Sequence, residues 1–430
     1  MASDQSLLAG SVTVDEIILS TLDNKKRLNI KGQVIEFNIY ESIFSTFLNA
    51  TMILQDGIGL FNNYPIVGEE KVKITFRIPN SNEQRAITAE FHLFSVDTVD
   101  NADDNLSSTY VCNLTSLEKR FDVVGGVSNA YRENISSMVQ KIVKDNFNTT
   151  KSITTEQTAG IQHINFPNGI PSKALSMCAN RAVSEKNISS SYVFFERLNE
   201  GFFFKTVEQL IKDGKKDIKE YKLITQNVEG TRDDEFFKII SFNVNKRFNT
   251  FEKMVGGCVD SELLRYDLIT KKQNRNTYKY RNMFNKVEHI DDRSSGKILT
   301  DGYIKDFEDD SQFPATRTEY SYVVEDSSKP PTLFERSYGY RKMYMTSMSQ
   351  IDLTISVPGL TNIKAGDVIN IRIPSFDGNQ EIYEDQEQYV TGNFLVANVK
   401  HLINTNQNYS VVMDLAKDSY RNEINEEGRF

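Results

Sequence analysis

Apolar and polar positions alternate through the first part of the chain, as in the segment VKITFRI at 72–78. An alternation with a period of two predicts β-strands that bury one face. Pro79 ends this run, and turn-forming residues such as Asp56 and Gly57 separate the strands at short intervals. This spacing is typical of an antiparallel barrel or sandwich, so residues 1–118 are predicted to form a first, all-β domain.

The period then changes to that of a helix. Apolar residues between 135 and 143 recur on one helix face, and a second amphipathic segment begins at Pro171. Proline is favourable at a helix start because its missing N–H would have no partner there. Two aromatic runs, 192–196 and 202–204, flank a turn and predict a β-hairpin packed on the helices. Residues 119–222 are therefore predicted to form a small α+β domain.

Strand alternation resumes near residue 237 and returns from 351 onward, on either side of a polar, charged stretch. That stretch is predicted to bury little and to form an insertion, with a short helix from 333 to 348. The predicted boundaries are 223–262 and 340–418 for a second β-barrel domain, 263–339 for the insertion domain and 419–430 for a C-terminal tail. The predicted fold class is mainly β with α+β: two similar antiparallel, tube-like β-barrels, with the α+β domain between them and the insertion in the second barrel.

The two β-rich parts share a series of spacings, which indicates an internal duplication. The shared features are a strand ending in FRIP (76–79) or IRIP (371–374), an apolar triplet (Phe94, Val96 and Val99; Phe394, Val396 and Val399) and a final alternating strand (110–114; 411–415). A glycine, Gly68 or Gly366, precedes the first of these strands in each part. Alternation is required of any strand, so a chance likeness between two strand pairs is the alternative interpretation.

Length and charge narrow the possible functions. The 430 residues are too many for one ordinary hydrophobic core, and their 50 basic and 59 acidic side chains give a formal charge of −9. This balance argues against a protein that binds nucleic acid or anionic lipid over its whole surface, and it leaves a local basic patch open. No secretory signal and no run of eighteen apolar residues are visible, which predicts a soluble protein made in a cytosol. Cys112, Cys178 and Cys258 are too far apart to predict a disulfide framework or a zinc site.

Four histidines and three acidic clusters are the candidate catalytic or metal-binding groups. The histidines are His92, His163, His289 and His401, and none has the spacing of a zinc-binding motif. The acidic clusters are Asp233-Asp234-Glu235, Asp291-Asp292 and Glu308-Asp309-Asp310. They could supply the two carboxylates of a glycosidase, but acidic runs are usually solvated loops. We therefore predict no catalytic, cofactor-binding or metal-binding residues, no cofactor and no enzymatic activity.

The segment from Lys271 to Arg281, KKQNRNTYKYR, interleaves five basic residues with two tyrosines. Proteins that bind single-stranded nucleic acid use this mixture, because bases stack on the aromatic rings while the cations follow the phosphates. Such binding also needs a sheet or groove, which the segment does not indicate. A surface hairpin with polar edges, or a patch that meets an acidic neighbour, are the other interpretations.

The order of these domains, together with the repeat, resembles the baseplate hub protein of contractile-tailed phages, whose fold is related to the N-terminal region of type VI secretion spike proteins. The most similar stretches are 50–79, 171–204 and 351–374. The resemblance implies a homotrimer whose six tandem barrels form a ring under the hexameric tail tube. It also implies that the opposite face of the ring holds a trimeric central spike.

From this resemblance we expect a structural, non-enzymatic symmetry adaptor of the virion tail baseplate, assembled in the host bacterial cytoplasm. Its expected partners are itself, the tail tube protein, the central spike protein and neighbouring baseplate proteins, with DNA only in passage and no membrane insertion. Three chains can form a pseudo-sixfold ring only if each carries two similar domains, which the repeat supplies. Two alternatives stay open: a phage receptor-binding protein or other tail adhesin, and a carbohydrate-active enzyme.

Overall fold

The computed structural model describes residues 9–420, apart from 65, 80–85, 102–107, 187–188, 224–234, 259, 281–283, 285, 292, 295–316, 324–332, 350, 375–389 and 407. Strands dominate the described residues. Most of the strands belong to one large, mainly antiparallel sheet, and helices and smaller sheets pack around it. This confirms the predicted fold class, mainly β with α+β.

The first part of the chain is built from strands, with one short helix between them. These elements are β1 (Thr13–Thr21), β2 (Arg27–Asn29), β3 (Val34–Ser42), β4 (Asn49–Asp56), α1 (Leu60–Asn63), β5 (Glu70–Arg77), β6 (Ile87–Asn101) and β7 (Ser108–Ser116). On β5 the apolar side chains of Val72, Ile74 and Phe76 are buried, while Lys73 and Thr75 between them are only half-buried. The alternation in the sequence thus corresponds to one face that packs on the core.

The middle part is the α+β unit that the sequence predicts. Its elements are α2 (Glu118–Val124), β8 (Ala130–Glu133), α3 (Ile135–Asn146), β9 (Ile153–Thr155), β10 (Gln162–Asn165), α4 (Pro171–Arg181), β11 (Tyr192–Arg197), β12 (Gly201–Thr206) and α5 (Val207–Gly214). Strands β11 and β12 form the predicted hairpin, with Phe194 opposite Phe204. Asn134 caps the start of helix α3, since its side chain accepts a hydrogen bond from the Ser137 N–H, and Pro171 occupies the first turn of α4. Helices α3 and α4 and one face of this hairpin share a separate hydrophobic cluster.

The last part combines further strands of the large sheet with a small sheet of its own. Its elements are β13 (Lys219–Lys222), β14 (Ser241–Lys246), α6 (Thr250–Val255), β15 (Asp260–Asp267), β16 (Gln273–Lys279), β17 (Arg293–Ser294), β18 (Arg317–Val323), α7 (Leu333–Met348), β19 (Ile351–Pro358), β20 (Val368–Arg372), β21 (Gly392–Asn404), β22 (Asn408–Lys417) and β23 (Ser419–Tyr420). Helix α7 has the predicted bounds. Strands β16, β15 and β18 form the small sheet.

The polar stretch after residue 271 buries more than its composition predicts. Tyr278 and Tyr280 are each 3 % exposed, and the Tyr278 ring lies so close to helix α7 that a Cβ on Gly339 would meet it at 2.2 Å. Tyrosine can bury its ring although the hydroxyl is polar, so a composition count underestimates its contribution to a core. The expectation of little burial was therefore wrong for these two tyrosines, whereas the polar residues of β16 are largely exposed.

The two strand-rich parts repeat the same strand order. In the first part the order is β3-β4-β7-β6-β5, in the second it is β14-β19-β22-β21-β20, and every neighbouring pair in both series is antiparallel. The series differ at one end, because β5 pairs antiparallel with β1 whereas β20 pairs parallel with β13. The order therefore supports duplication over a chance likeness. The domain boundaries given above stay predictions.

The predicted residue alignment between the repeats needs a correction of three positions. Both apolar triplets lie on equivalent strands, β6 and β21, but the β-bulges in these strands fix a different register. The β6 bulge follows Leu93, which lies opposite Leu114, and the β21 bulge follows Val396, which lies opposite Leu415. The equivalents of Phe394, Val396 and Val399 are thus Phe91, Leu93 and Val96. Burial agrees, since Phe91 is 1 % exposed and Phe94 is 55 % exposed.

The FRIP and IRIP segments also lie on equivalent strands, with a shift of two residues. Val72 on β5 lies opposite Phe91, and Ile369 on β20 lies opposite the equivalent Phe394. Phe76 therefore corresponds to Ile373 and not to Ile371. Gly68 and Gly366, which precede these strands, have φ angles of 88° and 87°, a left-handed conformation that favours glycine.

We expect Gly201→Ala to destabilise the chain by about 1–3 kcal/mol, because Gly201 has a φ of 91° and an added Cβ would lie 2.4 Å from the carbonyl oxygen of Ser152. Urea unfolding would measure the loss. The matched control is Gly32→Ala, where nothing lies within 4 Å of the new Cβ, and a change below about 0.5 kcal/mol is expected. Equal midpoints for the two variants would contradict the strained turn.

Candidate functional site

We call β3-β4-β7-β6-β5 the first strand set and β14-β19-β22-β21-β20 the second strand set. The two strand sets meet at strand β21. Its first residues, up to Leu395, pair with β20, and its residues from Asn398 to Asn404 pair with β3 of the first set, while β22 lies along its other edge. The bulge between Val396 and Asn398 separates the two stretches. Since a bulge bends a strand and increases its twist, one strand can serve neighbours from both sets. We refer to the β21·β3 contact as the internal junction.

A buried carboxylate, Glu41, lies at the internal junction. Its side chain is fully buried on β3, with the Nζ of Lys364 at 3.6 Å and the Nε2 of His401 at 3.5 Å. The backbone N–H groups of Leu198 and Ala365 donate to its two carboxylate oxygens at 3.3 Å and 3.4 Å. Leu198 follows strand β11, and Lys364 and Ala365 precede strand β20. Glu41 thus connects both strand sets and the α+β unit.

The electrostatics of Glu41 favour its ionised form. Burial by itself would raise the pKa of the carboxyl, but the charge of Lys364 and the interaction with His401 outweigh it and lower the pKa from 4.5 to about 2. The pKa of His401 is lowered because the ring is buried, which favours the neutral imidazole. A buried carboxylate that contacts a cation and two N–H donors is stable, whereas burial of the same charge without these partners would cost several kcal/mol of folding free energy.

His401 is held from its other side by Tyr409. The Nδ1 atom lies 2.7 Å from the Tyr409 hydroxyl, which is 3.2 Å from the carbonyl oxygen of Leu360. Burial raises the pKa of Tyr409 well above its ordinary value, so the phenol stays protonated. Its ring packs edge-on against Phe76 at 5.9 Å and covers Gly359, where a Cβ would lie 2.0 Å from the ring. The strand sets are therefore joined by packing as well as by charge.

A second ionic cluster joins the first strand set to the α+β unit. The Nζ of Lys151 lies 2.7 Å from Glu118 Oε2 and 2.6 Å from Glu196 Oε1. The other oxygen of Glu196 accepts hydrogen bonds from the Ser116 hydroxyl at 2.5 Å and from the Leu48 N–H at 3.1 Å. Together with Leu48, these side chains line a cleft of about 550 Å³.

The chemistry of this cleft does not suit hydrolysis. Burial would lower the pKa of Lys151, but the carboxylates of Glu196 and Glu118 outweigh it and raise the pKa, so the amine stays protonated. A serine nucleophile activated by lysine needs a neutral amine as its base. A glycosidase needs two carboxylates with the sugar between them, whereas the ammonium group occupies that position here. The cluster therefore has the features of a structural contact.

The other residues singled out in the sequence are dispersed. His92 is half-buried on β6, His163 lies on β10, and His289 stacks on Phe284 at 3.7 Å while its Nδ1 lies 2.5 Å from Asp418. Across the described residues, no three His, Cys, Asp or Glu side chains are grouped so that they could hold a metal. Cys112, Cys178 and Cys258 are free and buried.

The acidic clusters and the basic segment are only partly described. Asp291 forms a buried ion pair with Lys417 at 2.7 Å, and Glu235 is exposed. Asp233, Asp234, Asp292, Glu308, Asp309, Asp310 and Arg281 lie outside the described residues. The remainder of the basic segment forms most of the β15·β16 hairpin's second strand, whose polar residues are largely exposed, and Arg275 pairs with Glu262 at 3.1 Å. This agrees with the interpretation as a surface hairpin.

Sequence reasoning missed the role of Glu41, although one signal was present. In the run Phe37, Ile39, Glu41 of β3, a glutamate occupies a position at which the alternation predicts an inward side chain. An inward charge in a strand requires a partner. The partners Lys364 and His401 are more than three hundred residues away, and no local pattern identifies them.

Comparisons with known proteins show the fold. A tail protein from Neisseria meningitidis MC58 matches with a TM-score of 0.55 and 8 % identity, over 94 % of this chain and 96 % of that one. The 43 kDa tail protein of prophage MuSo2 from Shewanella oneidensis matches with a TM-score of 0.51 and 10 % identity, over 94 % and 98 %. This chain therefore has the fold of these two tail proteins.

Comparison of the sequence itself gives no match to a protein family or to a curated protein. Within the described residues, the helices are too short or too polar to cross a membrane.

We expect Glu41→Gln to remove about 3 kcal/mol of stability at neutral pH, because the lowered pKa shows that folding favours the ionised carboxylate. The stability that Glu41 contributes is complete above its ordinary pKa of 4.5 and is lost as the pH falls towards about 2. Urea midpoints of the variant should therefore fall less steeply across this range than those of the wild type.

Glu90→Gln, at an exposed carboxylate of β6, is the matched control and should follow the wild type. Parallel pH curves for Glu41→Gln and the wild type would show that the ionised carboxylate does not stabilise the internal junction.

Proposed function

We propose that this protein is the structural hub of a contractile phage tail baseplate, where a ring of three chains joins the hexameric tail tube to the trimeric central spike. Two observations support the proposal. The fold matches two tail proteins, one of them from a prophage, over nearly the whole of each pair of chains. The strand order β3-β4-β7-β6-β5 recurs as β14-β19-β22-β21-β20, so each chain offers two similar units to its neighbours.

The repeated strand order is the observation that carries the proposal. A tube with sixfold symmetry presents six equal surfaces, and three identical chains can meet all six only if each has two equivalent faces. A spike with threefold symmetry needs only one contact from each chain. Duplication within a trimer therefore meets both requirements, and no catalytic group is needed for it.

The charge of the chain suits a conduit for DNA. Each chain has a formal charge of −9, so a trimer carries three times that value. Every phosphate neutralised by a lysine or arginine adds affinity for DNA, whereas a net acidic ring holds DNA weakly. The proposed partners are thus the chain itself, the tube, the spike and neighbouring baseplate proteins, with DNA in passage, in a virion tail assembled in the host cytoplasm.

Native mass spectrometry of the purified protein tests the proposal. We expect a trimer, with three times the 49.2 kDa mass of the chain, at concentrations above the dissociation constant of the ring. Dilution should give monomers without unfolding, since each chain has its own buried core. A protein that stays monomeric at every concentration, or that forms only even-numbered oligomers, would contradict the trimeric hub.

A further inference from the structure

The hairpin of strands β15 and β16 lies in the small sheet, outside both strand sets. Its base is anchored, because Leu263 and Tyr278 are buried and the Tyr278 ring packs edge-on against Tyr340 of helix α7 at 5.3 Å. Beyond this base the hairpin is open to solvent, since every residue from 268 to 275 is exposed. The turn of the hairpin and the start of β16 therefore form an accessible surface.

The turn is held in one conformation by Asp267, which is buried. Its carboxylate accepts hydrogen bonds from the Ile269 N–H at 2.9 Å and from the Thr270 hydroxyl at 2.6 Å. Its backbone N–H donates to the carbonyl oxygen of Lys272 at 3.0 Å, and its own carbonyl oxygen accepts from the Lys271 N–H at 2.8 Å. A surface whose conformation is fixed in advance loses little entropy when it binds a partner.

Two aliphatic side chains are exposed at this turn. Leu268 is 50 % exposed and Ile269 is 65 % exposed. The hydrogen bonds of Asp267 thus fix a conformation that leaves two large apolar side chains in water, which is unfavourable for the single chain. A partner that removed these side chains from water would gain free energy from their burial.

Positive charge is concentrated on the same element. The segment from Leu268 to Tyr280 contains no acidic residue and four basic residues, Lys271, Lys272, Arg275 and Lys279. Because the whole chain has a formal charge of −9, the rest of the chain carries −13. Arg275 forms an ion pair with Glu262 at 3.1 Å, yet its side chain stays 66 % exposed and can meet a second carboxylate. The hairpin is therefore complementary in charge to an acidic partner.

Strand β16 also has an edge at which a partner strand can pair. It lies at one end of the small sheet and, among the described strands, pairs with β15. An edge strand presents backbone N–H and C=O groups to which an extended peptide can add. Arg275 lies on this strand, and Lys271 and Lys272 precede it directly, so the cations follow the same edge.

The exposed groups favour a polypeptide over a nucleic acid or a membrane. Bases need exposed aromatic rings on which to stack, whereas Tyr278 and Tyr280 of the basic segment are each 3 % exposed. An exposed tyrosine, Tyr320, lies on β18, which is separated from β16 by β15. DNA or an anionic bilayer would extend beyond the hairpin and meet the negative charge of the rest of the chain. A short acidic peptide segment would meet the hairpin alone.

We propose that the β15·β16 hairpin binds an extended, acidic segment of a partner protein, which pairs along the outer edge of β16. The carboxylates of this segment face Lys271, Lys272 and Arg275. Its aliphatic side chains cover Leu268 and Ile269. This contact goes beyond the proposed function, because the hub contacts need the repeated strand sets, whereas the hairpin belongs to neither set and can bind in a single chain.

Selection from a library of short random peptides tests the proposal. The purified protein is immobilised, the enriched peptides are synthesised, and their dissociation constants are measured by fluorescence anisotropy. We expect the enriched peptides to combine Asp or Glu with Val, Ile or Leu, and to bind more weakly at high salt, since exposed charges are screened. Lys271→Glu with Arg275→Glu should weaken their binding by about tenfold or more. Leu268→Ser with Ile269→Ser, in a separate variant, should have an effect of similar size.

Matched controls make the same changes at exposed positions elsewhere. Lys144→Glu with Lys173→Glu reverses two exposed cations, on helices α3 and α4. Val124→Ser with Ile161→Ser removes two aliphatic side chains that are 85 % and 72 % exposed. Neither control should change peptide binding. The circular dichroism of all four variants should match that of the wild type, since the changed side chains are exposed.

Two further probes decide between classes of partner: a single-stranded thymidine oligonucleotide, and vesicles of phosphatidylcholine and phosphatidylglycerol in equal parts. Acidic peptides whose binding is weakened by both hairpin variants and by neither control support the proposal. Enriched peptides that bind the hairpin variants as tightly as the wild type, or a selection without acidic peptides, would overturn it. Oligonucleotide or vesicle binding that is lost in the hairpin variants, while no peptide is enriched, would also overturn it. The native mass of the same samples tests the trimeric hub separately, because the hairpin variants leave both strand sets unchanged.

Discussion

The arrangement of the molecule depends on one buried charge. Glu41 lies on β3 of the first strand set at the internal junction, and its oxygens face a lysine, a histidine and two backbone N–H groups that come from the second strand set and the α+β unit. Burial of an ionised carboxylate without such partners would cost several kcal/mol, so the native arrangement is favoured only when all these segments are in place. The cluster thereby fixes how the two strand sets are oriented relative to each other.

The relative orientation of the two strand sets determines how their equivalent strands are placed in the large sheet. A strand with a bulge, β21, pairs with one neighbour before the bulge and with another after it, and β6 has an equivalent bulge. After its bulge, β21 pairs with β22 and with β3, whereas β6 after its bulge pairs, among the described strands, with β7. The internal junction therefore determines how the two strand sets continue one another within the large sheet.

Much of the fold could be predicted from periodicity. The alternating strands and the helices α3 and α4 follow directly from the spacing of apolar residues. The sequence also predicts the bounds of α7 and, from two aromatic runs around a turn, the β11·β12 hairpin. The register between the repeats could not be predicted, because β6 contains the spacing of the apolar triplet twice, beginning at Phe91 and at Phe94. Only burial and the position of the bulge distinguish the two, and neither is visible in the sequence.

The candidate site was harder to predict than the fold. Glu41 could be recognised as an inward charge, but its contacts with Lys364 and His401 arise from chain topology, as does the joining of the two strand sets through β21 and β3. For the segment at 271–281, the polar composition predicts little burial, whereas Tyr278 and Tyr280 are buried. Local patterns predict which face of an element is buried, whereas contacts between distant segments require the topology.

The proposed function requires that the two strand sets of each chain take equivalent positions in a ring of three chains. Cryo-electron microscopy of the purified oligomer at side-chain resolution measures this directly, through the rotation that relates the strand sets within a chain and the rotation that relates them between chains. The proposed hub predicts six similar steps of about 60° around a threefold axis. A ring with unequal steps, or one whose chains meet through the α+β units, would contradict it.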